Sequence, residues 1–201
     1  MSERVYTGGM LEEDLLGKIE REDGRKERGA YLPFKAAIEL VKNSQPGDPT
    51  DPEAGFANDL HTMVAEKLGL EDYSHLKFYT AVGSELDLYH GIDAFFEIDD
   101  PRTGKIYRLT LDITLRSTKE KIFDLKDTEG LELGNKADQV IAVEEHELDR
   151  ESNREGYDGF LEEEAESIAE FLLFKRDNKF DTKRFVKHGP KKLPNLLNGE
   201  N

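Results

Sequence analysis

Two aspartates embedded in strand-like sequence are the residues of this chain best suited to chemistry. Asp93 lies in the run Gly91-Ile92-Asp93-Ala94-Phe95-Phe96-Glu97-Ile98. Asp112 lies in Tyr107-Arg108-Leu109-Thr110-Leu111-Asp112-Ile113-Thr114-Leu115-Arg116. Asp is disfavoured inside strands, and a lone buried carboxylate is costly. If the two share one face of a hairpin, their oxygens converge on a divalent cation. Mg²⁺ takes one or two carboxylates, several waters and a phosphate oxygen. Such a cation offsets the repulsion that otherwise drives one carboxylate towards protonation. The plainer alternative makes both residues solvent-face groups of half-exposed strands.

The elements around them follow from periodicity. Ile92, Ala94, Phe96 and Ile98 alternate with Asp93, Phe95, Glu97 and Asp99. Tyr107, Leu109, Leu111, Ile113 and Leu115 alternate with Arg108, Thr110, Asp112, Thr114 and Arg116. Between them Asp100-Pro101-Arg102-Thr103-Gly104 is a turn sequence, so the two strands should pair antiparallel. An earlier strand is expected over 76–82, and GSELDLYHG after it reads as a polar stretch. Helices are expected over 10–21, from Pro33 with a stripe of Ala36, Ala37, Leu40 and Val41, over 52–68, and over 157–175. Ser117-Thr118-Lys119-Glu120 has the capping-box form of a helix start. Val140 to Val143 is a short apolar run, as in a buried and parallel strand. The expected class is α/β, with a mixed central sheet of about four strands flanked by helices. The organisation expected is a helical extension over 1–50, an α/β core over 51–175 and a basic arm over 176–201.

This order of elements, with Asp93 at the start of one hairpin strand and Asp112 within the next, resembles the PD-(D/E)XK nuclease superfamily. The resemblance covers roughly the middle half of the chain. It implies a restriction-endonuclease-like core in which Asp93 and Asp112 bind Mg²⁺ or Mn²⁺ and water attacks a phosphodiester. Thr114 stands where that motif has Lys. Residues i and i+2 share a strand face, so the hydroxyl can orient water beside Asp112. It cannot supply the positive charge that stabilises the transition state. Lys119 is the candidate for a migrated basic residue, with Lys121 behind it, and Arg116 could contact phosphate. As ordinary surface charges they need no such role.

Further candidates are weaker. Glu66, on the expected helix 52–68, matches an acid that family members often carry, but shares a polar face with Asp59 and Thr62. Asp87 is near enough in sequence to reach the site. Glu97 falls on the Asp93 face, as a third ligand or a rim charge. His90, three residues before Asp93, could be a base or ligand, or a loop histidine with a satisfied hydrogen bond. Glu164 reads as part of a solvated helix face.

Composition narrows the classes. The 201 residues contain no Cys, which excludes disulfides, thiolate metal sites and cysteine nucleophiles within the chain. No apolar run approaches membrane-spanning length and no leader pattern opens the chain, so a cytoplasmic protein without a membrane partner is expected. The 28 basic and 44 acidic residues give a net charge of −16, against a passive DNA-coating role. The acid is unevenly spread. Residues 175–192 carry eight Lys or Arg against Asp177 and Asp181. Lys175, Arg176, Lys179, Lys183, Arg184 and Lys187 could follow a nucleic-acid backbone, with Phe174, Phe180 and Phe185 interleaved for stacking. The same segment could equally dock on the acidic body of this or a second subunit.

The leading expectation is therefore a metal-dependent nuclease acting on DNA rather than RNA, with a homodimer compatible with the resemblance. A catalytically inactive binding or assembly protein on the same fold is the alternative. An acidic DNA mimic is the third.

Overall fold

The computed structural model describes residues 8–19, 30–100, 103–114, 137–144 and 147–177. Four strands form one sheet in the order β1 (Leu76–Thr80), β2 (Ala94–Asp100), β3 (Lys105–Thr114), β4 (Gln139–Ala142). The first two pairings are antiparallel and β4 runs parallel to β3. The class is thus α/β with a four-strand mixed sheet. The hairpin expected from the sequence is present: Asp100 O accepts from Gly104 N at 2.8 Å and its carboxylate from Thr103 Oγ1 at 2.8 Å.

Both faces of the sheet are buried, which is why Phe95 stands among the alternating positions of β2 opposite Ala94 and Phe96. Phe78 and Phe96, directly opposite in register, meet edge-to-face at 5.1 Å on one side. Tyr79 and Phe95, the next pair, stack at 4.9 Å on the other. Aromatic cross-strand pairs of this kind stabilise a register by up to about 1 kcal/mol each. The first face also holds Leu109, Leu111, Ile113 and Ile141. It is covered by α1 (Gly8–Leu16), α3 (Gly55–Lys67) and α5 (Arg154–Asp177). In α5 the inward stripe is Tyr157, Leu161, Ala165, Ile168 and Leu172, the three-and-four spacing of one helix face. The second face is covered by α2 (Phe34–Asn43) and α4 (Glu85–His90).

The helices of the 1–50 segment belong to these cores. Leu11, Leu15 and Leu16 of α1 join the first cluster, and Ala37, Ile38 and Val41 of α2 the second. The α2 stripe is rotated from the one expected. Ile38 is buried while Ala36 and Leu40 are exposed, because the pocket of Leu86, Ile92 and Phe95 receives the Ile38 side of the helix.

The outer edge of β1 is closed by the loop that follows α2. Phe78 N donates to Pro49 O at 2.7 Å and Thr80 N to Gln45 Oε1 at 3.1 Å, which removes a free strand edge. Among the described residues, no helix is long and apolar enough to cross a membrane. The expected helix at Ser117 lies outside the described residues.

Candidate metal centre

The polar stretch after β1 folds into a helix that aims an acid. Ser84 Oγ accepts from Leu86 N at 3.1 Å and Asp87 N at 3.4 Å, capping the start of α4. Asp87 Oδ2 reaches back to Gly83 N at 2.9 Å, a variant of the capping box in which the acid takes the residue before the cap. Gly83 has a φ of +82° and Gly91, which ends α4, a φ of +59°. Both are left-handed, where glycine carries no Cβ penalty. The signals for α4 were in the sequence as Ser84-x-x-Asp87 and Gly91, but six residues are too few to show a periodicity.

Asp93 sits where β2 parts from β3. The regular ladder stops at Ala94 opposite Leu111. One residue earlier, Asp93 O turns to β1 and accepts from Ala81 N at 2.7 Å. Its carboxylate replaces a ladder carbonyl on the other side: Oδ2 accepts from Ile113 N at 2.7 Å. An aspartate is therefore tolerated in this apolar run because it closes the hydrogen bonding of a strand end. The side chain is held rigidly, with Asp93 only 4% exposed.

Three acids meet there. Ligand oxygens of Glu12, Asp87 and Asp93 all lie within 4.8 Å of one another, with Asp93 buried and the other two half-buried. Asp112 of β3 lies close enough to act electrostatically on both Asp93 and Asp87. Burial pushes the Asp93 carboxyl up to about 8, the bond from Ile113 N–H opposes that shift, and the charges of Glu12, Asp112 and Asp87 add to it. Asp87 is likewise raised, first by burial and then by Asp112, against the bond from Gly83 N–H. Each pair of like charges at this separation costs about 3 kcal/mol at an effective dielectric near 20. Like charges this close favour the protonated form of Asp93. The largest side-chain influences on Asp93 are acids: Glu12, Asp112 and Asp87. The three acids could hold a metal ion, and they offer carboxylate oxygens without His or Cys.

Glu12 was absent from the sequence-based candidates. Its signal is readable in hindsight: on a helix, position 12 falls inside the arc spanned by Leu11, Leu15 and Leu16, so it must point inward with them. Thr114 ends β3, half-buried and two residues beyond Asp112. Its carbonyl accepts from Val143 N at 2.8 Å.

Other sequence candidates lie elsewhere. Glu97 is 2% exposed, yet its carboxylate faces cations. Arg108 Nε donates to it at 2.9 Å and Lys42 Nζ lies at 2.9 Å from its other oxygen. Four residues of strand carry it about 13 Å from Asp93. His90 turns its Nε2 to Leu32 O at 2.9 Å and packs against Tyr31 and Phe34. Glu66 is exposed on α3, as the polar face it shares with Asp59 and Thr62 implies. Lys175 is tied down rather than extended. It donates to Arg108 O at 2.6 Å and Asp138 Oδ2 at 2.9 Å, fastening the end of α5 to the sheet. Arg176 pairs with its neighbour Asp177 at 2.7 Å. Arg116, Lys119, Lys121, Lys179, Lys183, Arg184 and Lys187 lie outside the described residues.

Comparison of the chain with family models, with curated proteins and with solved structures finds no match.

Proposed function

We propose that this chain is a metal-dependent nuclease that hydrolyses phosphodiester bonds, with DNA as the substrate. The observation that carries the reading is the convergence of Glu12, Asp87 and Asp93 from three separate elements, with Asp112 acting on two of them. Two half-buried acids and one buried acid are an expensive arrangement for a fold to keep. The order and directions of the strands agree with the superfamily that the Asp93 and Asp112 motifs resemble, and this supports the reading by analogy only.

Asp93 and Asp112 would hold Mg²⁺ or Mn²⁺, with Asp87 and Glu12 completing the acidic wall. The bound cation supplies a water of lowered pKa and offsets charge on the scissile phosphate. Asp93 contributes a fixed oxygen, because Ile113 N–H locks its carboxylate. Asp87 is set by Gly83 N–H in the same way. Thr114 would orient the attacking water from the Asp112 face. Compensating positive charge would come from Arg116, Lys119 or Lys121.

A second reading rests on a specific observation. Thr114 stands where the resembled motif has Lys. A binding or assembly protein that has lost catalysis would look the same here.

The test is cleavage of single- and double-stranded DNA and RNA in Mn²⁺ and Mg²⁺, with Asp112→Ala beside the wild type. Metal-dependent cleavage that falls at least a hundredfold in the variant is the expected result. Metal binding by calorimetry without cleavage would select the inactive binding protein. Neither binding nor cleavage would remove both metal-based roles.

A further inference from the structure

Four neutral residues hold the chain around all three clustered acids. They are Thr80, Ala81, Val82 and Gly83, at the end of β1 and in the turn that leads to α4. Thr80 Oγ1 donates to Gly17 O at 3.0 Å, and Ile19 N donates to Val82 O at 3.2 Å. These two bonds fasten the residues that directly follow α1, the helix of Glu12. Ala81 N donates to Asp93 O at 2.7 Å. Gly83 N donates to Asp87 Oδ2 at 2.9 Å. The same short segment is therefore bonded to the elements of Glu12, Asp93 and Asp87.

The segment is a firm base. Thr80, Ala81 and Val82 are buried. Thr80 Oγ1 also accepts from Val82 N at 3.4 Å, and Thr80 N donates to Gln45 Oε1 at 3.1 Å. α1 is the element that needs it most. Its nine residues are too few for a helix that is stable alone. Leu11, Leu15 and Leu16 hold it by apolar contact. Such contact is non-directional, so it tolerates small rotations and slides. A hydrogen bond is directional and does not. Gly17 N closes the last turn on Glu13 O at 3.0 Å, so the Thr80 bond to Gly17 O acts on the helix itself. Glu12 lies five residues before Gly17, about 7.5 Å along the axis. Ala81, Val82 and Gly83 make their bonds through the main chain. Thr80 makes its bond to α1 with a side chain, which substitution can remove.

We propose that Thr80 is a positioning residue of the acid cluster: its hydroxyl, through Gly17 O, sets where α1 places Glu12 opposite Asp87 and Asp93. The role rests on the metal-dependent reading above, to which it adds a neutral residue that acts through Glu12.

The test is Mn²⁺ titration of the full chain by calorimetry, in a double-mutant cycle. Thr80→Val should weaken Mn²⁺ binding about tenfold, the low end for loss of a group that orients a ligand. Thr80→Ser keeps the hydroxyl and should bind as the wild type does. In a Glu12→Gln chain, Thr80→Val should have little further effect, because the group it positions is gone. Equal weakening in both backgrounds means a general loosening of the fold and overturns the proposal. So does unchanged binding by Thr80→Val, which leaves the nuclease reading intact. The expected cycle without cleavage of any nucleic acid does the reverse. No Mn²⁺ binding by the wild type overturns both. Amide exchange in saturating Mn²⁺ gives an answer even if Thr80→Val does not fold. The metal should slow exchange at Ile19 and Gly83 in the wild type, and Glu12→Gln should abolish the slowing at Ile19 but not at Gly83. Slowing at neither amide, or its loss at both, overturns the role of Thr80.

Discussion

Asp93 and Glu97 are buried carboxylates at the two ends of the same short run of chain, 4% and 2% exposed, and their surroundings are opposite. Glu97 lies between Arg108 and Lys42, each oxygen with a cation. Asp93 lies among Glu12, Asp87 and Asp112. Burial is equal, so burial does not distinguish a structural acid from a candidate ligand. Company does. Glu97 is complete without any other partner, whereas Asp93 has one backbone N–H and three like charges.

The largest expected effect outside catalysis comes from breaking the Glu97 side. Glu97→Gln leaves Arg108 and Lys42 facing each other across a buried amide. Removing one partner of a buried pair costs about 3–5 kcal/mol. Both cations are partly exposed, at 29% and 24% of their side-chain surface, so we expect about 2–3 kcal/mol after screening. Urea unfolding measures it. A cost below 0.5 kcal/mol would erase the contrast between the two acids.

Asp93→Asn should move stability the other way. The amide oxygen can still accept from Ile113 N–H, and the repulsion from Glu12, Asp87 and Asp112 disappears. In chelator at pH 8 the variant should melt above the wild type, by a margin of about 1–2 kcal/mol. It should also lose the stabilisation that Mn²⁺ gives the wild type. A variant that melts lower in chelator would place Asp93 with Glu97 as a structural acid.

Glu164, half-buried on α5, has a different balance. Burial raises its carboxyl to about 7, the bond from Gln139 Nε2 at 3.1 Å opposes this, and Glu163 and Glu147 add to it. The folded chain therefore holds this proton to higher pH than the unfolded chain. Its contribution to stability is complete below about pH 4.5 and is lost as pH rises through about 7. Between pH 5 and pH 8 the wild type should lose about 2 kcal/mol that Glu164→Gln does not lose. Paired melts in chelator at the two pH values decide it. Parallel pH profiles would mean that Glu164 is charged throughout.

The smallest effect is expected on the surface. Lys67 and Glu162 join α3 to α5 at 2.8 Å, with Glu162 63% exposed. Glu162→Gln should change stability by less than about 0.5 kcal/mol and lose even that in 1 M salt. A larger cost would show that charge pairs outside the core matter more here than burial.

Much of the fold was legible because its signals are local. The antiparallel hairpin was readable from alternation and from the turn at Asp100 to Gly104, and β4 from four consecutive apolar residues. The long α5 helix was readable from a stripe that repeats over about four turns. The short α4 was not, since a six-residue helix is specified by its caps, Ser84 and Gly91, more than by any period. The α2 face was misjudged because two alanines and a leucine match an apolar stripe as well as Ile38 does. Only the pocket of Leu86, Ile92 and Phe95 chooses between them.

The candidate site divides along the same line. Sequence alone marks Asp93 and Asp112, because an acid in an apolar strand is locally anomalous. It also fixes the absence of Cys and the excess of acid over base. It does not say which of 44 acids keep Asp93 company. Glu12 is 81 residues away along the chain, and it reaches Asp93 only because α1 packs on the face that Leu111 and Ile113 present. Glu97, four residues away, is removed from that company by the pitch of a strand and claimed by Arg108 across β3. Local chemistry selects residue types and periods. Which charges meet is set by long-range packing of apolar faces, and that is decided only in the folded chain.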